Sequence, residues 1–246
     1  MKNKAKLSLI IPAYNEAPVL RRNVAFIEQA VKSINGSYEI VIAEDGSTDG
    51  SDEIAADMAR QNSRIIHSHA VGRLGKGQAL KKALKASTGE IIVFMDADLA
   101  TSLSHLPKLL SLIESEYDGA VGSRYADNSV TSMTLLREFT SQVYNFLARL
   151  LFGTRVRDHQ CGFKAFHRKA FESIVNGMQS NGFIFDTELI VKGKRKGLLI
   201  AELPVTWEDP FGRRSKFKLL EDGPGMLLGL LKLRVKLWKR DIQGLK

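Results

Sequence analysis

Short apolar runs alternate with amphipathic stretches along the first half of the chain. The apolar runs predict strands, and apolar residues at helical spacing predict helices between them. The predicted strands are 7–12, 38–43, 64–67, 90–95 and 120–122, and the predicted helices are 19–34, 51–60, 76–86 and 106–113. Strands separated by helices imply right-handed crossovers, so we expect an α/β fold with a mostly parallel central sheet flanked by helices.

The second half of the chain is less regular. Its pattern predicts helices over 135–152 and 185–196, an edge strand at 163–166 and a strand at 199–205. Residues 207–217 contain Pro, Gly and several basic side chains, which predicts a loop. The tail over 226–240 is helical in pattern and mixes leucines and Trp238 with five basic residues. We therefore expect one domain over residues 1–222 and an appended basic amphipathic helix over 223–246.

The composition is that of an ordinary globular protein. Of the 246 residues, 44% are hydrophobic and 26% are charged, which excludes collagen-like and wholly disordered chains. The net charge of +9 favours an anionic partner: nucleic acid, nucleotide phosphates or an acidic membrane face. The single cysteine, Cys161, excludes an intrachain disulfide and fits a reducing compartment. No apolar stretch approaches the roughly 20 residues of a transmembrane helix, so we expect that the chain does not span a membrane by itself.

Acidic side chains follow three of the predicted strands. The segments are Pro12-Ala-Tyr-Asn-Glu16, Glu44-Asp-Gly-Ser-Thr-Asp-Gly50 and Asp96-Ala-Asp98. Ligands of open α/β sheets bind at the carboxyl ends of the strands, where these segments meet. Two aspartates one residue apart offer hard oxygen ligands for Mg²⁺ or Mn²⁺ together with substrate phosphates. The plainer interpretation of Asp96 and Asp98 is a solvated turn at the end of a strand.

The segment Gly72-Arg-Leu-Gly-Lys-Gly77 resembles a phosphate-binding loop only in composition. Gln78 follows it, so the Ser or Thr that ends a Walker motif is missing, and the glycine order of dinucleotide-binding loops is missing too. An NTPase or a dehydrogenase is therefore disfavoured. We expect this segment to be a helix entry that supports a nucleotide pocket.

The motifs, taken in order, resemble family 2 glycosyltransferases. They are the three acidic segments together with Gly75-Lys-Gly77 and Gly122-Ser-Arg124. Within that family the chain is similar to the dolichyl-phosphate glucose and mannose synthases. The motifs closest to the dolichyl-phosphate β-glucosyltransferase branch are Asp158-His-Gln-Cys-Gly-Phe-Lys164, Phe185-Asp-Thr-Glu188, and Pro204-Val-Thr-Trp207 with Ser215-Lys216. The resemblance extends over residues 7–238 and implies the GT-A fold of nucleotide-diphospho-sugar transferases.

The resemblance also implies a role for particular residues. Pro12, Tyr14 and Glu16 would line the nucleotide pocket, and Ala43 and Asp45 would hold the base and ribose, with Asp45 accepting from a base N–H. Asp96, Ala97 and Asp98 would lie at the diphosphate, with Asp96 and Asp98 as metal ligands and Asp98 as the principal one. Arg124 and Lys216 would hold substrate phosphates, and Arg137 would face the acceptor phosphate.

Two positions depart from the mannose synthases. Those enzymes place a Gln metal ligand two residues after the second aspartate, where this chain has Ala100. Water, Thr101 or donor phosphates would then complete the metal shell, or the metal would bind more weakly. They also carry an Arg where this chain has Pro210, and Arg213 or Arg214 is a possible replacement.

The resemblance implies an inverting transferase. It would move a hexose from a nucleotide sugar of the UDP-glucose or GDP-mannose type to a polyprenyl (dolichyl) phosphate, giving a β-linked product. Mg²⁺ or Mn²⁺ would offset the charge of the leaving nucleoside diphosphate. The acceptor phosphate is already anionic, so no strong general base is needed. We expect peripheral attachment to the cytoplasmic face of a membrane, because basic amphipathic helices bind anionic interfaces.

Two other functions are weighed against this one. A family 2 transferase could instead use a hydroxyl acceptor in polysaccharide, glycolipid or cell-envelope synthesis, with Asp186 as the base; the alternative for Asp186 is a helix N-cap. A basic nucleic-acid-binding module is disfavoured, because acids gather at the strand ends and no RNA-binding aromatic signature is present.

Several other residues have a plain structural interpretation. The five histidines show no metal-ligand spacing shared with Cys161, which we expect to be a small buried thiol. The aromatic residues Phe139, Tyr144, Phe146 and Phe152 lie at helical spacing and predict core packing, with an isoprenoid-binding surface as the alternative. The apolar stripe of the C-terminal helix could likewise pack on the preceding domain instead of a membrane.

Overall fold

The computed structural model describes residues 6–34, 36–180, 182–209 and 219–244, without the side chains of 219–222 and 240–244. The strands are β1 (Leu7–Ala13), β2 (Tyr38–Glu44), β3 (Ile65–Ser68), β4 (Ile91–Phe94), β5 (Gly119–Ser123), β6 (Val130–Ser132), β7 (Lys164–His167), β8 (Ile200–Pro204) and β9 (Thr206–Glu208). The helices are α1 (Leu20–Lys32), α2 (Ser51–Gln61), α3 (Lys76–Ala86), α4 (Leu106–Glu114), α5 (Leu135–Phe152), α6 (Arg168–Val175), α7 (Ile184–Arg195) and α8 (Leu219–Gly244).

A seven-stranded sheet has the order β3-β2-β1-β4-β7-β5-β8. Strand β7 is antiparallel to both β4 and β5, whereas the other strand pairs are parallel. The expected mostly parallel sheet is therefore confirmed. The carboxyl ends of β1, β2 and β4 lie at one edge, which brings the three acidic segments together.

The sheet is buried on both faces by helices. Leu9 and Ile11 of β1 belong to the core beneath α1, α2 and α4, and the intervening Ile10 belongs to the core beneath α3, α6 and α7. This alternation follows from the two-residue period of a strand. Because both faces of the sheet are buried, the parallel strands have continuous apolar sequences rather than an alternation of apolar and polar residues.

The prediction of an edge strand at 163–166 was wrong. Strand β7 lies in the middle of the sheet, between β4 and β5, and Lys164 in it is completely buried. A lysine at this point suggests an exposed edge, because lysines are almost never fully buried unless they are paired. The pairing partner, Asp186, is 22 residues away along the chain.

A small second sheet was missed by the sequence pattern. Strands β6 and β9 pair in parallel, with Trp207 of β9 buried, although 207–217 was predicted to be a loop. The two strands have three residues each and come from distant segments, so neither carries a periodic signal. Pro210, Arg213, Arg214 and Lys216 lie outside the described residues.

Helix α8 packs against the preceding domain along one side. Leu230 contacts the core formed with Tyr144 and Ala148 of α5, and Leu233 and Leu237 pack with Val191 of α7. The helix begins at Leu219, before the predicted boundary at 223, and the division into a domain and an appended helix stays a prediction. Among the described residues, no helix has both the length and the apolar character needed to cross a membrane.

Candidate active site

An open cavity of about 870 Å³ lies at the carboxyl edge of the sheet. Its wall includes most of the predicted site residues: Pro12, Glu16, Asp96, Ala97, Asp98, Arg124 and Arg137. Tyr14, Ala43 and Asp45 are not among the residues of its described wall. The wall also has an apolar part, which comes from α5 and α8 through Phe139, Val143, Leu147, Met226 and Leu227.

The turn after β4 presents Asp96 and Asp98 to this cavity. The Asn23 side-chain amide of α1 donates to the Ala97 carbonyl at 2.8 Å, which anchors the turn to α1. Asp98 Oδ1 accepts from the Ala100 main-chain N–H at 3.1 Å. The Asp96 carboxylate packs directly against Gly162, where an added Cβ would be 1.8 Å from Asp96 Oδ2, so any larger residue there would displace the carboxylate. The two carboxylates therefore occupy one fixed turn.

A chain of ion pairs runs inward from Asp96. Lys76 Nζ lies 3.3 Å from Asp96 Oδ1 and 3.1 Å from Asp186 Oδ2, and Lys164 Nζ lies 2.6 Å from Asp186 Oδ1. Burial alone would raise the pKa of Asp186, but Lys164 and Lys76 outweigh it and lower the pKa below its usual value. Burial alone would lower the pKa of Lys76, but Asp186 and Asp96 raise it.

Asp186 is therefore not the N-cap that was considered for it. Helix α7 begins at Ile184, its N-cap is Phe183, and no side chain caps it by a hydrogen bond. A carboxylate held by two lysines, with a lowered pKa, is a weak proton acceptor. The geometry thus disfavours Asp186 as a general base. The sequence motifs did not identify Lys164 as the ionic partner of Asp186.

Asp45 ties two loops together. Its Oδ1 accepts from the Leu74 N–H at 2.7 Å and its Oδ2 accepts from the Gly75 N–H at 2.9 Å. Gly46 has φ +71°, and a Cβ there would be 2.5 Å from the Gly72 carbonyl carbon. The glycine loop 72–77 thus rests on the turn after β2, as expected for a segment that supports a pocket. The predicted contact of Asp45 with a base stays a prediction.

The loop after β1 is fastened to the same turn. The Asn15 N–H donates to Ser47 Oγ at 3.0 Å, and the Glu16 N–H donates to Ser51 Oγ at 2.8 Å. Tyr14 carries the Arg73 guanidinium 4.2 Å from the centre of its ring. Asn15 is therefore held by the second acidic segment, Glu16 by the first residue of α2, and Tyr14 lies against the glycine loop. The Ala43 side chain is fully buried in the core, so only its main chain could face a ligand.

Arg124 is held by a buried carboxylate. Its Nε lies 2.7 Å from Asp158 Oδ2 and its Nη2 lies 2.9 Å from Asp158 Oδ1. Burial raises the pKa of Asp158 by itself, but Arg124 outweighs it and lowers that pKa. Arg124 reaches the cavity wall with its orientation set by this bidentate pair. Its predicted contact with a substrate phosphate stays a prediction.

Arg137, in the first turn of α5, faces the same cavity. Its Nη1 lies 2.6 Å from Asp209 Oδ1, and its guanidinium is 4.8 Å from the centre of the Trp207 ring. The second sheet thus positions this arginine, because Trp207 and Asp209 belong to β9 and the residue that follows it. The predicted fourth basic residue, Lys216, lies outside the described residues.

Comparison with known protein families identifies the family of this chain. The family profile described as "Glycosyl transferase family 2" matches residues 8–175. The chain belongs to glycosyl transferase family 2. The predicted family, the GT-A fold and the class of enzyme are confirmed.

Curated relatives of this family 2 glycosyltransferase differ in length. It is 41% identical over 224 residues to the glycosyltransferase AglD of Haloferax volcanii, a match that covers 90% of this chain and 36% of the relative. It is 29% identical over 243 residues to the dolichyl-phosphate β-glucosyltransferase ALG5A of Trichomonas vaginalis, with coverage of 95% and 75%. The chain thus spans about a third of AglD and three quarters of ALG5A.

Two solved structures share the fold of this family 2 glycosyltransferase. Glucosyl-3-phosphoglycerate synthase of Mycobacterium tuberculosis, in complex with Mn²⁺, UDP and glucosyl-3-phosphoglycerate, aligns with TM-score 0.66 and 22% identity over 94% of this chain and 80% of that one. The mannosyltransferase PcManGT of Pyrobaculum calidifontis, in complex with GDP-Man and Mn²⁺, aligns with TM-score 0.60 and 21% identity over 87% and 59%.

Proposed function

We propose that this chain transfers a hexose from a nucleotide sugar to a polyprenyl phosphate with inversion, giving a β-linked lipid-phosphate sugar. One observation carries the proposal: the cavity joins an acidic turn to an apolar wall, with two arginines in the same lining. An acceptor that is a phosphate at one end and a hydrocarbon at the other matches both parts of that lining.

The donor is a nucleoside diphosphate sugar of the UDP-glucose or GDP-mannose type. Structures that share the fold carry UDP or GDP-Man in their complexes, and ALG5A carries the name of a β-glucosyltransferase. The carboxyl ends of β1 and β2 and the loops that follow them form the side of the site where the nucleotide would bind, with Pro12, Tyr14, Glu16, Ala43 and Asp45.

Asp96 and Asp98 fit a divalent cation. They offer carboxylate oxygens on one fixed turn, and Asp96 is half-exposed, so a hard ion such as Mg²⁺ or Mn²⁺ suits them. A bound ion would offset the charge that develops on the leaving diphosphate. Ala100 supplies a main-chain N–H to Asp98 rather than a ligand, so water and donor phosphates would complete the shell.

The acceptor phosphate would be oriented by Arg124 and Arg137, with Lys216 as a predicted further contact. A phosphate oxygen attacks the anomeric carbon on the face opposite the diphosphate, the bond from that carbon to the diphosphate breaks, and the configuration inverts. The phosphate oxygen is already anionic, so no proton needs to be removed. The ion pairs that hold Asp186 agree with this, because a hydroxyl acceptor would need a base there.

A peripheral position on the cytoplasmic face of a membrane completes the proposal. Large apolar side chains are exposed along α5 and α8: Leu135, Leu136, Phe139, Val143, Phe146, Leu150, Leu227, Leu228, Leu231, Val235 and Trp238. Phe139 and Leu227 also line the cavity, so the exposed surface is continuous with the site. In this proposal residues 223–246 serve as the interfacial segment.

The experiment is a two-way screen. UDP-glucose, GDP-mannose and other nucleotide sugars are each offered with polyprenyl phosphate, with the matching polyprenol and with a soluble glycoside, and the extracted products are analysed by mass spectrometry. We expect one donor to give an acid-labile lipid phosphate sugar, and the Asp98→Ala variant to give none. Transfer to polyprenol or the glycoside, but not to polyprenyl phosphate, would instead establish the alternative with a hydroxyl acceptor.

A further inference from the structure

A second group of metal-ligating side chains lies apart from the acidic turn. Glu44, Asp52, His67 and His69 each offer one ligand atom, and these four atoms lie within 4.8 Å of one another. His69 Nδ1 is 2.7 Å from Glu44 Oε2 and 2.9 Å from Asp52 Oδ1, and His67 Nε2 is 2.9 Å from the same Asp52 oxygen.

The fold assembles this group from three elements. Glu44 ends β2, Asp52 lies in the first turn of α2, His67 is in β3 and His69 follows β3. Strand β1 lies between β2 and β4, so the group is separated from Asp96 and Asp98 by a strand of the sheet. The spacing of the histidines along the chain did not predict a metal site, because their partners come from β2 and α2, well upstream in the chain.

Two atoms of the group are buried without a hydrogen bond. Asp52 Oδ1 and His67 Nε2 have no hydrogen-bond partner in the part of the chain that the structure describes, although they are 2.9 Å apart. The contact between them is thus an ion pair without hydrogen-bond geometry. A cation bound between the two atoms would satisfy both, since each could direct a lone pair to it.

The donor set of the group suits a divalent cation. The Glu44 side chain is completely buried. It accepts from the Ser47 main-chain N–H and lies 2.7 Å from His69 Nδ1. The group thus combines two carboxylates with two imidazoles around one point. Imidazole ligands favour zinc and its neighbours over Mg²⁺ or Ca²⁺.

We propose that Glu44, Asp52, His67 and His69 form a structural transition-metal site of the Zn²⁺ class, distinct from the site at Asp96 and Asp98. A tetrahedral ion with bonds of about 2.0–2.2 Å needs ligand atoms about 3.3 Å apart. The three contacts of 2.7–2.9 Å would therefore widen slightly when it binds, and any pair that is farther apart, within the limit of 4.8 Å, would close. The ion holds the turn between β2 and α2 against β3. That turn carries Asp45 and, through it, the loop 72–77.

Cobalt(II) is the probe, because tetrahedral Co²⁺ absorbs visible light strongly and octahedral Co²⁺ does not. The full chain is stripped of metal with a chelator and titrated with Co²⁺, and Zn²⁺ is then added to displace it. We expect one equivalent of tetrahedral Co²⁺ in the unmodified chain. The spectrum should be the same in Asp98→Ala, which removes the other site, and in His167→Ala, a matched exposed histidine outside the group.

The affinity for Co²⁺ should fall at least about 100-fold in His67→Ala and in His69→Ala, since loss of an outer-shell partner alone costs 10–100-fold. Zn²⁺ should also raise the melting temperature of the stripped chain, but not of these variants. If either alanine variant fails to fold, Asp52→Asn replaces it, because that side chain is partly exposed and keeps its shape.

Three outcomes would overturn the site. The first is the absence of a tetrahedral Co²⁺ spectrum in the stripped chain. The second is a spectrum that persists with unchanged affinity in His67→Ala and His69→Ala. The third is a spectrum lost in Asp98→Ala, which would place the ion at the acidic turn. None of these readouts depends on glycosyl transfer, so the site and the proposed function are tested separately.

Discussion

At the scale of single residues, Asp45 stabilises the glycine loop 72–77 by accepting two of its main-chain N–H groups. The motif indicates a carboxylate near the nucleotide base, and the structure shows both of its oxygens accepting main-chain N–H groups of Leu74 and Gly75. A carboxylate has about four lone-pair positions, so these bonds leave room for a base N–H as well. A sequence motif reports which residue matters, whereas the partners from another loop appear only once the chain is folded.

Asp45→Ala should weaken donor binding more than acceptor binding. The change leaves two N–H groups of the glycine loop without their acceptor and removes the predicted contact with the base. A hydrogen bond to a charged group contributes roughly 1.5–3 kcal/mol, so the affinity for the nucleotide should fall by about one to two decades. Calorimetry of the free nucleotide measures this, with Asp127→Ala, an exposed acid, as the control. Unchanged affinity would count against a role for Asp45 in the pocket.

Asp98→Ala should abolish most transfer while the fold survives. The side chain lines the cavity and lies outside the hydrophobic core, so its loss should remove a metal ligand without disturbing the core. We expect at least a 100-fold loss of turnover that added Mn²⁺ does not restore, and a similar loss when EDTA is added to the unmodified chain. Glu116→Ala, an exposed acid after α4, should have no effect. Full transfer in excess EDTA would refute the metal role.

At the scale of elements, the hydrophobic periodicity predicted the long helices, but it failed for short strands whose position depends on contacts with distant residues. Helices α3 and α5 have the predicted bounds, 76–86 and 135–152, because each carries several turns of amphipathic pattern. Strand β7 was misplaced at an edge, because its lysine is neutralised by a residue of α7 that the local sequence does not contain. Of the four aromatics predicted to pack in the core, Tyr144 is buried, whereas Phe139 and Phe146 are exposed.

Lys164→Met should destabilise the chain more than any surface change. It leaves Asp186 buried with Lys76 as its described ionic partner, and breaking one side of a buried pair costs about 3–5 kcal/mol. Chemical denaturation measures the loss, and Lys169→Met, an exposed lysine of α6, is the control. The double change Lys164→Met with Asp186→Leu should recover part of the loss, because no uncompensated charge remains. A loss below about 1 kcal/mol would show that the pair does not hold β7 to α7.

The same ion pairs set the response to acid. The pKa values of Asp158 and Asp186 are lowered in the folded chain, by Arg124 and by the two lysines respectively. Unfolded carboxyls titrate near pH 4, so the stabilisation is complete above that value and is lost as pH falls through the lower folded-state pKa values. The free energy of unfolding should therefore decline below about pH 4. Asp186→Asn should flatten part of that decline, and an unchanged acid profile in this variant would contradict the assignment.

At the scale of the whole molecule, the polar lining of the cavity adjoins an exposed apolar surface. The acidic turn and the arginines line the cavity, while the exposed side chains of α5 and α8 continue its apolar wall outward. The opposite side of α8 buries Leu230, Leu233 and Leu237 against α5 and α7. The helix packs on the domain through one stripe and presents a second apolar stripe outward, and the contact of that second stripe with a membrane stays a prediction.

The outward stripe of α8 consists of the exposed side chains Leu227, Leu228, Leu231, Val235 and Trp238. Its contact with a membrane is tested by substitutions within the stripe, because removing α8 entirely would expose the core beneath it. Leu231→Ser combined with Trp238→Ser alters two side chains that are about half exposed. Burying one large apolar side chain in a membrane contributes roughly 1.5–3 kcal/mol, so affinity for anionic liposomes should fall at least about ten-fold. Transfer to long-chain polyprenyl phosphate should fall with it, while hydrolysis of the donor, which needs no lipid, should persist. Phe26→Ser, a half-exposed aromatic on α1, controls for the loss of apolar surface as such. Equal binding by the double variant and the unmodified chain in a sedimentation assay would show that this stripe does not contact the membrane.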